Sequence, residues 1–401
     1  MEKTHGKSGK IISLLAVYFA ANVIFITSPA MNSWAKELYP NLAYGTVLLL
    51  STISSLLMIP GSLVAGAVLG KKVPFKTMAI ISLSGIVIAG CLPYFIRPFG
   101  FVVVMRAIVG FCIGLGFPVQ STLALRLFND KERPGVLGIA TFVMACGSIF
   151  YMLASGYASD RNAAYPFLVH AVLIIPLILV IIFLKEPEAE PEPVVVHTVG
   201  KSGEKLPGMA IFASIMFMVM FFAFYPVLLN MSAIIDYEGI GTAAVAGIIS
   251  SLFTIGNAVA GLIFAPLSKK AGKFIIPAGV ILWVLGTAVF SLGHGLAPII
   301  IGVVIIGVAV QIVWPGTINS FSEYVPVRKQ SMATALFVSG MNLGCFFTSF
   351  FITGVAKVTG DSNPRLPCII GLGILVVFAV IWSIVEIRRK RLNNKENIIP
   401  Q

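Results

Sequence analysis

The apolar runs are the feature that most limits what this chain can fold into. Twelve such runs follow one another, separated by polar segments that are mostly short. A helix needs about 20 residues to cross the hydrocarbon core of a bilayer, and backbone exposed to lipid must satisfy its own hydrogen bonds. The sequence therefore predicts an all-α membrane protein with twelve transmembrane helices. The predicted spans are 11–34, 43–69, 77–98, 100–127, 134–158, 164–184, 208–234, 241–267, 274–293, 297–321, 331–356 and 366–387.

Composition and residue pattern exclude most other classes. Of the 401 residues, 58% are hydrophobic and 11% are charged, whereas about a quarter of the residues in soluble domains are charged. The net charge of +12 comes from basic residues between the apolar runs, so no nucleic-acid partner is expected. The five cysteines form no CxxC pair. Without paired carboxylates, a metal cluster or a nucleophile–base constellation, we expect neither enzymatic activity nor a cofactor.

The basic residues also predict the orientation of the chain. Of the 28 lysines and arginines, 22 fall on the side of the two termini, five fall on the other side and one lies within a span. The positive-inside rule then places both termini in the cytoplasm of a cell with a multi-pass protein in its plasma membrane. The predicted domains are a cytoplasmic tail (1–10), a six-helix bundle (11–184), a Pro- and Glu-rich cytoplasmic linker (185–207), a second six-helix bundle (208–387) and a second cytoplasmic tail (388–401).

The two predicted bundles are related in sequence. A shift of 197 residues aligns glycines and prolines in the same order in both halves. The aligned pairs are Pro29 with Pro226, Gly110 with Gly307, Pro118 with Pro315 and Gly147 with Gly344. Small residues at helical spacing let membrane helices approach closely, so the repeat predicts a shared packing scheme. The charges are not shared, because Val303 aligns with Arg106 and Glu323 with Arg126.

Three motifs resemble those of the major facilitator superfamily, in its bacterial twelve-helix form. The fourth span contains Arg106-xxx-Gly110-xxx-Gly114-x-Gly116, and the basic loop 131–135 follows it. The loop 66–76 resembles the family's Gly-x-Leu-x-Asp-Arg-x-Gly-Arg motif, but Gly70 replaces its acid. The resemblance implies a transporter in which two halves rock about a midplane site. In the family the missing acid locks the outward-open state, so this lock is expected to be weaker or built differently.

The resemblance also implies that spans one, four, seven and ten line the substrate cavity. The deepest fixed charge is positive and no carboxylate lies in mid-span, which favours a neutral or anionic solute over a cation. Structural roles are the alternatives: backbone contacts for the arginine, helix–helix hydrogen bonds for the amides and packing for the aromatic residues. The candidate substrate-binding residues are Asn22, Phe25, Arg106, Tyr225, Gln311, Trp314 and Asn342.

Two further groups of residues are candidates for coupling and gating. Proton coupling needs a titratable group, and His170, Asp236 and Glu238 are the candidates. A cytoplasmic gate with an ionic latch mainly in the second half is expected, with Glu323 paired to Lys270 or Lys273. The gate residues are Lys71, Lys72, Arg126, Lys270 and Glu323.

The combined prediction is a monomeric secondary transporter that moves a small neutral or anionic organic solute across the bilayer by alternating access. Protons or another ion are the options for coupling. An amphipathic drug or lipid exporter, or flippase, on the same fold is the first alternative, and a receptor-like protein that transports nothing is the second.

Overall fold

The computed structural model describes residues 2–70, 72–129, 131–187 and 206–396. Every secondary-structure element in these ranges is a helix, and one isolated β-bridge joins Leu69 and Val73. Within the described residues, eleven helices are long and apolar enough to cross a membrane, and the number is 12 if one bent pair of helices forms a single span. The predicted all-α membrane fold is therefore confirmed.

The spans are numbered in chain order, and α1 is the bent pair. They are α1 (Ser8–Ala20 and Val23–Leu38), α2 (Tyr44–Val68), α3 (Phe75–Tyr94), α4 (Phe99–Leu127), α5 (Gly135–Arg161), α6 (Tyr165–Phe183), α7 (Gly208–Leu229), α8 (Ala243–Ala271), α9 (Ile275–Leu292), α10 (Leu296–Tyr324), α11 (Lys329–Thr359) and α12 (Leu366–Arg389).

Helical structure extends beyond the predicted spans at both ends of the chain. The first helix begins at Glu2 and the last continues to Glu396, so helix occupies the described parts of the segments predicted as tails. Lysine, arginine and glutamate have good helix propensity, and no proline interrupts either extension. Lys71 and most of the predicted linker, residues 188–205, lie outside the described residues.

The chain forms two compact units. The first comprises Met1–Thr198 and Gly241–Ile248, and the second comprises Val199–Ile240 and Ile249–Gln401. The first two turns of α8 thus belong to the first unit, although α8 is a single helix from Ala243 to Ala271.

The repeated glycines have the same packing role in each unit. A methyl group on Gly110 of α4 would lie 2.1 Å from the Ser54 carbonyl oxygen of α2, and one on Gly307 of α10 would lie 2.3 Å from that of Phe253 in α8. Such distances leave no room for a side chain, so the helix backbones touch directly. The sequence repeat therefore corresponds to a repeated helix contact.

The loop that lacks the family acid forms a tight turn. Gly70 has a φ of +73°, and its N–H donates to the Val73 carbonyl oxygen at 2.8 Å. Glycine adopts this left-handed conformation without a steric penalty. The local backbone thus gives a physical reason for glycine at this position.

Candidate functional site

Two helix breaks position three of the candidate substrate residues. α1 bends by 42° between Ala20 and Val23, and Asn22 and Phe25 lie at this bend and in the 3-10 turn after it. In α7 the regular helix ends at Phe224, and Tyr225 precedes Pro226, whose missing N–H interrupts the hydrogen-bond ladder. Broken helices form the binding site in many transporters, because the free backbone groups at the break can bind polar groups of the solute.

Asn22 is half-buried and connects α1 to α5. Its Nδ2 donates to Ser148 Oγ at 2.9 Å, and Ser148 Oγ in turn donates to the Met144 carbonyl oxygen at 2.9 Å. The alternative role predicted for the amides, a hydrogen bond between helices, therefore describes the contact that Asn22 makes with Ser148. No described hydrogen bond occupies the amide oxygen of Asn22, which stays available to another donor.

The sequence reasoning missed Gln120 on α4. This half-buried residue donates to Met144 Sδ at 3.5 Å, so its amide has only a weak partner in the described residues. Gln120 also borders a small crevice in the first unit, whose wall includes Ala20, Phe117 and the buried Ser82. Gln120, like Asn22, is an uncharged polar residue within an apolar span, and this pattern in the sequence marks it as a candidate.

Besides Tyr225, three candidates lie in the second unit, and they differ in their surroundings. Gln311 is half-buried, has no hydrogen bond to any described residue and packs beside Gly261. Trp314 packs against the Phe217 and Phe337 rings at centroid distances of 5.6 and 5.5 Å. Asn342 is only 5% exposed and donates to the Val338 carbonyl oxygen of its own helix at 3.0 Å. The geometry thus favours Gln311 over Asn342 as a substrate contact.

Arg106 and His170 form a buried pair in the first unit, and both have 0% exposure. Arg106 Nε donates to the Leu50 carbonyl oxygen at 2.9 Å, and its Nη1 lies 3.1 Å from His170 Nε2. A guanidinium is only a donor, so His170 Nε2 accepts and its Nδ1 carries the proton, which it donates to the Phe167 carbonyl oxygen at 3.0 Å. His170 is therefore neutral in this arrangement.

These contacts bear on both predictions made for the pair. They fit the alternative in which Arg106 satisfies backbone carbonyls, and substrate binding by Arg106 stays a prediction. Proton coupling through His170 also stays a prediction, and it would require the pair to separate, because a protonated imidazole cannot accept from the guanidinium.

The absence of a side chain at Gly90 makes room for His170. A methyl group on Gly90 would lie 2.3 Å from His170 Cγ. We therefore expect Gly90→Ala to displace the imidazole and to lower stability by about 1–3 kcal/mol, measured as a lower melting temperature. Gly100→Ala is the matched control, because nothing lies within 4 Å of a methyl group there. Equal melting temperatures for the two variants would contradict the tight fit.

Glu238 lies at the predicted outer end of the second unit, and its carboxylate is bound from three sides. Arg365 Nε donates to Oε1, the Gly295 N–H donates to Oε2 at 3.1 Å, and His294 Nδ1 lies 3.2 Å from Oε1. The Arg365 contact, above all, lowers the pKa of Glu238 from an ordinary value of 4.5 to about 2. The carboxylate thus stays ionised at physiological pH, which disfavours a role as proton carrier. Asp236, the third coupling candidate, is exposed on the short helix Met231–Tyr237.

The described gate residues lie at or near the C-terminal ends of α2, α4, α8 and α10. Lys72 and Lys270 are exposed, and the exposed Arg126 has its guanidinium carbon 5.2 Å from the Phe75 ring centroid. In the second unit, Arg389 Nη1 donates to Glu323 Oε2 at 2.9 Å. The sequence did not suggest this partner of Glu323, because Arg389 lies on α12, which is remote in sequence. The gating role of this ion pair stays a prediction.

Arg389 is held by more than Glu323. Its Nη2 donates to Oε1 of the buried Glu386 at 2.5 Å, and its guanidinium carbon lies 4.7 Å from the Tyr324 ring centroid. These contacts join the end of α10 to α12 within the second unit.

Comparison with known proteins agrees with this architecture. The sequence matches the profile of the Major Facilitator Superfamily twice, over residues 11–230 and 208–398. No curated protein sequence matches significantly. The solved structure of the nucleoside transporter NupG is similar, with a TM-score of 0.77 and 14% identity over 95% of this chain and 98% of that chain.

Two further structures share the fold. A D-xylose–proton symporter has a TM-score of 0.73 and 14% identity over 95% of this chain and 96% of its own. A bacterial homologue of the human lysosomal transporter Spinster, solved in an inward-facing and unoccupied conformation, has a TM-score of 0.72 and 14% identity over 95% and 97%.

The chain has two units of membrane-spanning helices, and a sequence repeat relates them. In each unit, glycines let helix backbones pack in direct contact. This architecture defines a multi-pass membrane protein of the transporter class. The chain belongs to the major facilitator superfamily, whose profile matches both halves. It is a transporter rather than an enzyme.

Proposed function

We propose that this protein is a secondary transporter for a small, neutral, hydrogen-bonding organic solute. The main support is where the charges lie within the described spans. Arg106 and His170 are buried and bonded to each other, and carboxylates of the described spans lie near helix ends. A charged solute would have to leave water without an opposite charge nearby, which is costly.

The half-buried amides supply the complementary chemistry. Gln311 has no described hydrogen-bond partner, and Gln120 and Asn22 each have unused donor or acceptor capacity. Amides both donate and accept, so they suit hydroxyl and carbonyl groups of uncharged solutes. The similar structures include a nucleoside transporter and a D-xylose symporter, and this agrees with a solute of that polarity.

The buried position of Arg106 reduces the range of solutes that we propose. An anionic solute was included because of this positive charge, but the guanidinium is fully buried. We therefore propose neutral solutes first. No observation favours the drug or lipid exporter. The distribution of the 28 basic residues supports a plasma-membrane protein with both termini in the cytoplasm.

Uptake of labelled solutes into proteoliposomes tests this proposal. We expect uptake of at least one neutral solute, with uridine and D-xylose as the first probes, and none of the cation choline or the anion lactate. Uptake of choline or lactate in preference to the neutral probes would contradict the proposal. Repeating the assay with an imposed pH gradient tests proton coupling separately.

Gln311→Leu is expected to raise the KM of the transported solute by up to about tenfold, because a hydrogen bond to the solute is worth about 0.5–1.5 kcal/mol. The matched control is Asn342→Leu, which removes an amide bonded only to its own helix among the described residues. We expect its KM to stay within about twofold of the parent value. A larger effect at Asn342 than at Gln311 would reverse the assignment of these two amides.

A further inference from the structure

Two amides lie at the middle of neighbouring helices in the second unit. The helices α8 and α10 have 29 residues each, and Asn257 is the fifteenth residue of α8 and Gln311 the sixteenth of α10. Both side chains are half-buried, and both residues belong to the second unit. A polar group at this depth in a membrane helix is costly unless another group bonds to it.

Neither amide has a hydrogen-bond partner among the described residues. Asn257 Oδ1 is buried without a donor, and no contact of the Gln311 amide with a described polar group replaces water. By contrast, the amides of Asn22, Gln120 and Asn342 each bond to another described residue. Buried polar groups normally have partners, so unused capacity on two neighbouring amides indicates a place where a ligand completes the bonding.

The contact between α8 and α10 leaves room beside these amides. A methyl group on Gly307 would lie 2.3 Å from the Phe253 carbonyl oxygen and 3.3 Å from the Asn257 nitrogen, so the backbones touch there. One turn later, a methyl group on Gly261 would lie 3.6 Å from Gln311 Nε2, and Gly261 is exposed. The two amides are therefore offset by four residues, or about 6 Å along the helices, beside an accessible position.

The first unit has other residues at the corresponding positions. A shift of 197 residues aligns Gly114 with Gln311, and a shift of 199 aligns Met58 with Asn257. A methyl group on Gly114 would lie 2.3 Å from the Met58 carbonyl oxygen, so direct backbone contact closes this position in the first unit. The shared packing scheme therefore does not require the two amides, which leaves binding as their role.

The amide chemistry indicates what the ligand carries. Asn257 Oδ1 accepts, so its partner must donate, and a ketone or ether oxygen cannot do this. The Gln311 amide both donates and accepts, as a hydroxyl does. Two hydroxyls on adjacent carbons, with a hydrogen bond of about 2.8 Å at each end, bridge side chains at this offset.

We propose that Asn257 and Gln311 bind two neighbouring hydroxyl groups of the solute and select solutes that carry a vicinal diol, such as sugars and ribosides. The proposal rests on the transport function above and narrows its neutral solute to this class. A site that bonds solute hydroxyls disfavours an analogue without them, because the buried amides are then left unpaired. Asn257 is a specificity-determining residue that was not among the candidates predicted from the sequence.

Equilibrium binding of labelled uridine and D-xylose to the purified full-length protein tests this inference. Each probe carries a vicinal diol, and each is compared with its dideoxy analogue, 2′,3′-dideoxyuridine or 2,3-dideoxy-D-xylose, which has none. We expect Asn257→Leu and Gln311→Leu each to weaken binding of the diol about three- to tenfold, because one hydrogen bond is lost. Affinity for the dideoxy analogue should stay within about twofold. Equal losses for the diol and its analogue would overturn the proposal.

Two controls separate binding from packing. Asn319→Leu replaces an exposed amide of the same helix α10, and its affinity for the diol should stay within about twofold of the parent value. Without ligand, Asn257→Leu should melt no lower than the parent, because it removes a buried acceptor that has no donor. A lower melting temperature together with unchanged diol affinity would show a packing role and overturn the proposal. If Asn257→Leu fails to fold, Asn257→Ala gives the same comparison.

Binding and uptake together distinguish this inference from the proposed function. Diol binding that depends on both amides, without uptake of any neutral solute, would support the diol site and contradict the transport proposal. A parent protein that binds neither diol probe would overturn the diol site. Uptake of a neutral solute without a diol, such as thymine, by that same protein would leave the transport proposal standing.

Discussion

Arg106→Ala is expected to destabilise the first unit by about 3–5 kcal/mol, the largest effect of any substitution considered. The Leu50 carbonyl oxygen and His170 Nε2 would lose their donor, and each orphaned buried acceptor costs about 1–3 kcal/mol. The missing side chain would also leave a cavity in a site with 0% exposure. Thermal unfolding in detergent, followed by intrinsic fluorescence, measures this loss.

Two comparisons make the Arg106 result interpretable. Arg97→Ala removes an exposed guanidinium that bonds the Tyr94 carbonyl oxygen in its own segment, and its melting temperature should stay near the parent value. A double substitution, Arg106→Met with His170→Leu, should cost less than the sum of the single changes, because both polar partners disappear together. If Arg106→Ala were stable and changed only the KM, the substrate-binding prediction would replace the structural one.

Arg365→Ala is expected to destabilise the second unit by about 3 kcal/mol. Arg365 is 2% exposed, and its guanidinium donates to Glu238 and, through Nη1, to the Phe290 carbonyl oxygen at 2.6 Å. Removing it leaves a charged carboxylate and a buried carbonyl without their main donor. His294→Ala is the control, since the His294 side chain is 79% exposed and its contact with Glu238 contributes little.

The pH dependence gives this prediction a second readout. The folded state lowers the pKa of Glu238 from 4.5 to about 2, so the contact stabilises the fold above pH 4.5 and this contribution is lost as the pH falls toward 2. Arg365→Ala should reduce the loss of melting temperature over that interval. An unchanged acid profile would show that another group controls the pKa of Glu238.

Each of the two units contains a buried arginine, and the two arginines have different partners. In the first unit, Arg106 pairs with a neutral imidazole, whereas in the second, Arg365 pairs with an ionised carboxylate. The sequence repeat preserves the glycines at which helices touch, but not these polar contacts. Because the glycine contacts close both units in the same way, the charges are free to differ.

The fold could be predicted from the sequence, because the length and number of apolar runs admit few alternatives in a bilayer. The close helix contacts at the repeated glycines could also be predicted, as could the helix break at a proline, since such features depend on single residues. The partners of the polar residues did not. Arg106 meets His170 across 64 positions, and Asp160 meets Thr242 across 82. Such contacts depend on how the helices pack against one another, which cannot be deduced from the residue types and spacing along one helix.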